Sequence, residues 1–146
     1  LKQIIPYIIF RYQGRIFLMQ RLEDHAEKRL AGLYSLGIGG HINQEDLKVG
    51  DNMLDWAKRE FAEEVEYKDD IMFSVIGALN DETNPVGQVH LGVVIIAEGG
   101  TPDIMVKDEH IMGKLMTLDE LTKYRDRMES WSQTVLDFLV QKEIQV

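Results

Sequence analysis

The chain has 146 residues, of which 45% are hydrophobic and 28% charged, and this composition predicts one globular domain spanning residues 1–146. The net charge of −9 argues against nucleic acid as the main partner, and no apolar run approaches the ~20 residues that a membrane-spanning helix needs. The chain contains no cysteine, which excludes disulfides and thiolate chemistry and makes a reducing cytoplasm the expected compartment.

The hydrophobic pattern predicts strands, a helix, further strands and a last helix. Pro6 favours a sheet edge or a bulge for the first strand, and Gln13-Gly14 predicts a hairpin turn to the second. The predicted elements are strands 3–11, 15–21 and 34–42, a helix 52–66, strands 71–79, 88–97 and 110–116, a helix that starts at a capping box (117–120), and an apolar helical stripe of Trp131, Val135, Phe138 and Leu139. This order predicts an α/β (α+β) fold, a mixed sheet with helices on both sides.

The helix predicted over 52–66 carries three carboxylates on one face. At helical spacing Glu60, Glu63 and Glu64 fall within an arc of about 100°. Like charges at this spacing repel each other, and a hard divalent cation removes that repulsion because it takes oxygen ligands. Two interpretations therefore stay open, a solvated acidic face and a metal-binding face. The apolar stripe predicted for the core consists of Leu54, Ala57, Phe61 and Val65.

These residues resemble the signature of the Nudix hydrolases. That signature reads Gly, five residues, Glu, seven residues, and then Arg-Glu-apolar-any-Glu-Glu-any-Gly-apolar, and residues 59–64 (REFAEE) match its most diagnostic part. The flanking sequence is similar too, with Gln20-Arg21 closing a strand, Gly39-Gly40-His41 after an apolar stretch, and a Leu-Asp-Glu-Leu helix start at 118–121. The resemblance implies the α/β/α sandwich of that family.

The chain departs from the signature in two places. The spacing from Gly40 to Arg59 is five residues longer than the signature's, which places an insertion within 42–50. This leaves three roles open for Asp51: a metal ligand, a carboxylate that hydrogen-bonds the metal ligands, or the N-cap of the helix. We favour the N-cap. Glu66 stands where the signature has a Gly that permits a left-handed helix end, so Glu66 is expected either to be strained or to let the helix run on.

The resemblance also implies a function. It implies hydrolysis of a phosphoanhydride (pyrophosphate) bond in a nucleoside diphosphate linked to another moiety, with Mg²⁺ or Mn²⁺ as cofactor. The general base is left open between Glu63 and Glu109, and Arg59 is expected to hold the carboxylates in place. The residues so implied are Glu60, Glu63, Glu64 and Gly40 for the metal, Glu63, Glu109 and Arg59 for catalysis, and Gly39, His41 and Arg21 for substrate binding.

The expected partner is thus a small nucleoside diphosphate derivative, with neither nucleic acid nor membrane, and a homodimer is a candidate assembly. One alternative is a binding module that holds a nucleotide or metabolite on the same fold without cleaving it. Another is the isomerase chemistry of isoprenoid diphosphate isomerases of this fold, which use an active-site cysteine that the chain lacks.

Overall fold

A computed structural model of the chain describes residues 3–22, 33–39, 52–83, 85, 88 and 90–144. The strands are β1 (Gln3–Tyr12), β2 (Arg15–Arg21), β3 (Tyr34–Ser35), β4 (Val65–Glu66), β5 (Ile71–Leu79), β6 (His90–Gly99), β7 (Met105–Val106) and β8 (Ile111–Met116). The helices are α1 (Met53–Glu64), α2 (Leu118–Thr122), a 3₁₀ turn (Arg125–Arg127) and α3 (Ser130–Ile144). In these described ranges, no helix is both long and apolar enough to cross a membrane.

The main sheet is mixed, as the sequence predicts. Its strand order is β3-β2-β1-β6-β5, and β8 also pairs with β2. β1 and β6 run parallel, while the other pairs in this sheet are antiparallel. The predicted hairpin between β1 and β2 is confirmed, and its turn residues Gln13 and Gly14 have φ angles of 48° and 75°.

Side chains of β1 alternate between two hydrophobic cores. Ile5, Tyr7 and Ile9 pack with α2 and α3 on one side of the sheet, whereas Ile8 and Phe10 pack with α1 on the other. Burying each large apolar side chain contributes about 1.5–3 kcal/mol, so both helical layers are held by this one strand. The prediction of helices on both sides of the sheet is confirmed.

Pro6 lies in the interior of the sheet, so the prediction of an edge or bulge is wrong. It is paired in register with Val93 of β6. Ile8 makes both its backbone hydrogen bonds to Ile38, on the side of β1 away from β6 (3.2 and 2.7 Å). Pro6 shares this orientation because it is two residues away, and its missing N–H therefore removes no bond to β6.

The start of α1 differs from the prediction by one residue. Asn52 is the N-cap, and its side chain accepts a hydrogen bond from the backbone N–H of Asp55 (2.8 Å). The capping role predicted for Asp51 is therefore wrong, and Asp51 itself lies outside the described residues. The capping box of the later helix is confirmed, because the Thr117 side chain and Glu120 bond each other's backbone N–H groups.

The end of α1 contradicts both expectations for Glu66. The helix stops at Glu64, and Val65 leaves it in an extended conformation (φ −130°, ψ 155°). Val65 and Glu66 then form β4, which pairs with Val106 and Met105 of β7. Pairing with β7 takes the backbone out of the helix, so neither a strained residue nor a longer helix is needed.

Three further elements differ from the sequence prediction. Of the strand predicted over 34–42, only Tyr34–Ser35 is a strand, followed by a single bridge at Ile38, and 40–42 lie outside the described residues. β7 falls within a segment predicted as loop. Phe138 is 47% exposed, although Trp131, Val135 and Leu139 of the same predicted stripe are buried.

Candidate active site

The three carboxylates of α1 lie at different depths. Glu60 is only 3% exposed, Glu64 is half-buried and Glu63 is exposed. A buried carboxylate is costly unless it is paired or coordinates a metal, so a purely solvated acidic face is wrong for Glu60. Arg59 is exposed on the same helix.

Residues 36–39, which we call the glycine-rich segment, end beside Glu60. Gly39 has a φ of +84°, which a glycine adopts at little cost. A Cβ atom added to Gly39 would lie 3.6 Å from the Cβ of Glu60 and 3.8 Å from Ile8. The two parts of the predicted site, the glycines and the acidic helix, are therefore adjacent in the fold.

The turn before β8 is bonded to the end of α1. The backbone N–H of Lys107 donates to the carbonyl of Glu64 (3.0 Å), and the Lys107 ammonium donates to the carbonyl of Ala62 (2.6 Å). These carbonyls lie in the last turn of α1, where an added cation is favourable. Glu109, an exposed residue two positions later, is thereby kept near the carboxylate helix.

Arg21 lies at the same turn. It is paired with Ile111 across β2 and β8, and the next residue, Leu22, donates its N–H to the carbonyl of His110 (2.6 Å). The backbone N–H of His110 lowers the pKa of Asp108 most, and the charge of Arg21 lowers that pKa further. Arg21 therefore places positive charge beside the turn that carries Glu109.

The donor chemistry of this region suits Mg²⁺ or Mn²⁺. Within the described ranges, no three His, Asp or Glu side chains are gathered closely enough to hold an ion. Mg²⁺ is usually held by one or two carboxylates together with waters and substrate phosphates, and Glu60 and Glu64 can supply that number. The residues present thus fit a hard divalent ion that is completed by its substrate.

Some predicted residues cannot be placed, and one residue was missed. Gly40, His41 and the insertion at 42–50 lie outside the described residues. Lys107 was not among the predicted site residues, although it bonds two carbonyls of α1. A lysine in a loop carries no sequence signal for that contact, which depends on how β4 and β7 pair.

The sequence of the chain is similar to that of one curated protein. It is 34% identical to Protein YmaB of Bacillus subtilis (strain 168) in an alignment of 153 positions that covers 94% of this chain and 71% of YmaB. No protein-family model matches the chain.

Several solved structures are also similar. Tm1382, assigned to the Nudix hydrolases, has 30% identity and a TM-score of 0.76, with 96% of this chain and 71% of Tm1382 covered. The NUDIX domain of Shewanella oneidensis NrtR, complexed with ADP ribose, has 12% identity and a TM-score of 0.69 (97% and 88% covered). A bifunctional NMN adenylyltransferase/ADP ribose pyrophosphatase from Francisella tularensis, complexed with AMP and a Mn ion, has 15% identity and a TM-score of 0.66 (97% and 42% covered).

Proposed function

Since this chain belongs to the Nudix hydrolase family and is a Nudix-type hydrolase, we propose that it cleaves the pyrophosphate bond of a nucleoside diphosphate linked to another moiety, using Mg²⁺ or Mn²⁺. Two structural neighbours support the substrate class, since one is bound to ADP ribose and the other to AMP with a Mn ion. The cytoplasmic location and the homodimeric assembly of the protein stay predictions.

The observation that carries the proposal is the contact between Gly39 and buried Glu60. Gly39 and α1 come from separate parts of the chain, and a Cβ atom added to Gly39 would lie 3.6 Å from the Cβ of Glu60. A glycine adds no side chain beside the helix that carries the carboxylates, which suits the approach of an ion and its phosphate ligands. Simple turn geometry does not require a buried carboxylate at that point.

We assign roles on this basis. Glu60 and Glu64 are the direct ligands of the ion, and the family signature adds Glu63 and the backbone of Gly40 to the residues that would hold it. The ion would supply charge neutralisation and Lewis acidity to the phosphates. Gly39, His41 and Arg21 contact the phosphates of the substrate. This second set is assigned from the family signature and, for Arg21, from its charge beside the 107–110 turn.

The chemical step is the attack of water on one phosphorus of the pyrophosphate. Glu63 or Glu109 accepts the proton of the attacking water as the P–O bond forms, and the bridging P–O bond breaks to leave two phosphate-terminated products. Arg59 acts indirectly, by holding the α1 carboxylates in place. Both candidate bases are exposed, so each can reach a water in the site.

The rival function is a binding module that holds the same ligand without cleaving it. Retention of all three carboxylates on α1, one of them buried, favours the enzyme. A binding module needs only residues that give affinity for the ligand, whereas an enzyme also needs a general base for the attacking water.

The test is product release from a panel of nucleoside diphosphate sugars, ADP-ribose, dinucleoside polyphosphates and deoxynucleoside triphosphates. The assay is run with Mg²⁺ or Mn²⁺ and again with excess chelator. We expect metal-dependent cleavage, and we expect Glu64→Gln and Glu63→Gln each to lower kcat by about 10²-fold or more.

Glu66→Gln is the matched control, because Glu66 is a nearby exposed carboxylate that lies beyond the end of α1. It should retain the wild-type kcat. Cleavage that survives in both Glu63→Gln and Glu64→Gln would contradict the assignment. Tight metal-dependent binding of a nucleotide with no cleavage of any substrate would favour the binding module.

A further inference from the structure

Four polar side chains meet behind the glycine-rich segment, on the side of the sheet opposite α1. We call Tyr7, Ser35, Glu129 and Ser132 the Glu129 cluster. One carboxylate oxygen, Oε1 of Glu129, accepts hydrogen bonds from the hydroxyls of Tyr7, Ser35 (2.8 Å) and Ser132 (3.0 Å). The Tyr7 and Ser132 hydroxyl oxygens are also 2.6 Å apart. Hydrogen bonds to an ionised acceptor are short and strong, so the three donors are fixed relative to one another.

The same cluster holds the backbone that leads to Gly39. The N–H of Leu36 donates to Oγ of Ser132 (2.9 Å), and the N–H of Gly37 donates to Oγ of Ser35 (3.1 Å). The N–H of Glu129 donates to the carbonyl of Tyr34 (3.1 Å). Tyr34 and Leu36 are therefore bonded directly to residues at the start of α3, and Gly37 is bonded to Ser35, whose hydroxyl donates to Glu129.

Two residues, Ile38 and Gly39, connect this bonded backbone to α1. Ile38 forms a pair of backbone hydrogen bonds with Ile8 of β1, and Gly39 follows beside Glu60. Tyr7 lies directly under Gly37, because a Cβ on Gly37 would be 2.1 Å from Cε1 of the Tyr7 ring. Only Ile38 separates this bonded backbone from Gly39, so the placement of Leu36 and Gly37 constrains where Gly39 lies.

We propose that Glu129 is a positioning residue, which fixes the placement of Gly39 against Glu60 by holding the segment between Tyr34 and Gly37. Its effect on metal binding and hydrolysis rests on the proposed function, whereas its effect on the position of Gly39 does not. Directional bonds to one oxygen fix position more tightly than apolar packing does. An error of an ångström, even when it originates far from the chemistry, costs a large factor in rate.

The test compares Glu129→Ala with the conservative Glu129→Gln, which keeps an acceptor oxygen. Three quantities are measured: the Mn²⁺ dissociation constant by calorimetry, the amide chemical shifts of Gly39 and Glu60 by NMR, and the melting temperature. We expect Glu129→Ala to move both amide shifts and to weaken Mn²⁺ binding by about tenfold. Glu129→Gln should restore both toward the wild type.

Asp137→Asn is the matched control for loss of stability. Asp137 is on α3 and accepts two hydrogen bonds from Arg125 (2.8 and 2.7 Å), at an exposed site that does not bond the segment. This variant should lower the melting temperature without moving the Gly39 and Glu60 amides. If Glu129→Ala does not fold, Ser35→Ala gives the same comparison, because it removes the half-buried hydroxyl that donates to Glu129 and accepts from the N–H of Gly37.

The outcomes separate the two proposals. Unchanged Gly39 and Glu60 amide shifts in Glu129→Ala, or equal shifts in Asp137→Asn, overturn the positioning role. A wild-type protein that binds no Mn²⁺ contradicts the proposed metal site. In that case a movement of the Gly39 amide in Glu129→Ala still supports the positioning role.

Discussion

Gly37→Ala should destabilise the protein through a single steric conflict. A Cβ at this position would lie 2.1, 2.3 and 2.7 Å from three atoms of the Tyr7 ring. The ring cannot move aside easily, because Tyr7 is 5% exposed and contacts the Trp131 ring edge-on at a centroid distance of 5.5 Å. Overpacking of this kind costs about 1–3 kcal/mol, and we expect the upper end since no atom of the conflict is at the end of a flexible chain.

For a chain of this size, about 3 kcal/mol corresponds to a fall of about 6–12 °C in melting temperature. Gly77→Ala is the matched control, because nothing lies within 4 Å of its added Cβ. That variant should be neutral or stabilising by up to about 1 kcal/mol. The measurement is thermal unfolding followed by circular dichroism.

A background without the ring tests the cause directly. In Tyr7→Val, the further change Gly37→Ala should cost much less than it does in the wild type, since the two residues are in contact. The reasoning is refuted if Gly37→Ala melts no lower than Gly77→Ala, or if its cost is the same in both backgrounds.

Two other predictions concern ionisable groups. Burial, and after it the charge of Glu129, raise the pKa of Tyr7 well above its ordinary 10.0. The protonated Tyr7 therefore contributes fully to the free energy of unfolding below pH 10. That contribution falls as the pH rises further, by up to about 1.4 kcal/mol per pH unit. Urea unfolding between pH 9 and 11 should therefore show a steeper decline for the wild type than for Tyr7→Phe, and equal slopes would contradict this origin. Lys107→Gln removes the cation from the end of α1 and should lower the free energy of unfolding by about 0.3–1 kcal/mol, an effect that shrinks in high salt. A loss that is unchanged in 1 M salt would mean that packing, and not charge, is responsible.

Features that depend on neighbouring residues were predictable from the sequence. The β1–β2 hairpin and the capping box at Thr117 are local, and both are confirmed. The apolar stripe of α1 is also local, and Ala57 and Phe61 are buried as that periodicity predicts. For the site, the family signature led to the glycines and the carboxylates, and the structure brings Gly39 and Glu60 together.

Features that depend on distant pairing were not predictable. The interior position of Pro6 follows from Ile38 and β6 occupying opposite sides of β1, which no local pattern encodes. The Glu129 cluster joins residues 122 and 125 positions apart, and a serine or glutamate at a helix start has no pattern that points to such partners. The exposure of Phe138 likewise depends on which elements surround α3, because the helical period alone places it on the same side as Val135.

The end of α1 shows how the chain tolerates its departure from the family signature. A glycine at position 66 would allow a left-handed turn to end the helix, and this chain has Glu66 there. Here the helix ends by strand pairing: Val65 donates its N–H to the carbonyl of Phe61 and then joins β7 with Glu66. β7 also leads directly into Lys107, which bonds the carbonyl of Glu64. The pairing that replaces the glycine therefore fixes the backbone of Glu64, the last residue of α1, and connects it to the turn that carries Glu109. The absence of the signature glycine thus changes how the helix ends, while the backbone that carries Glu64 stays bonded at its carbonyl.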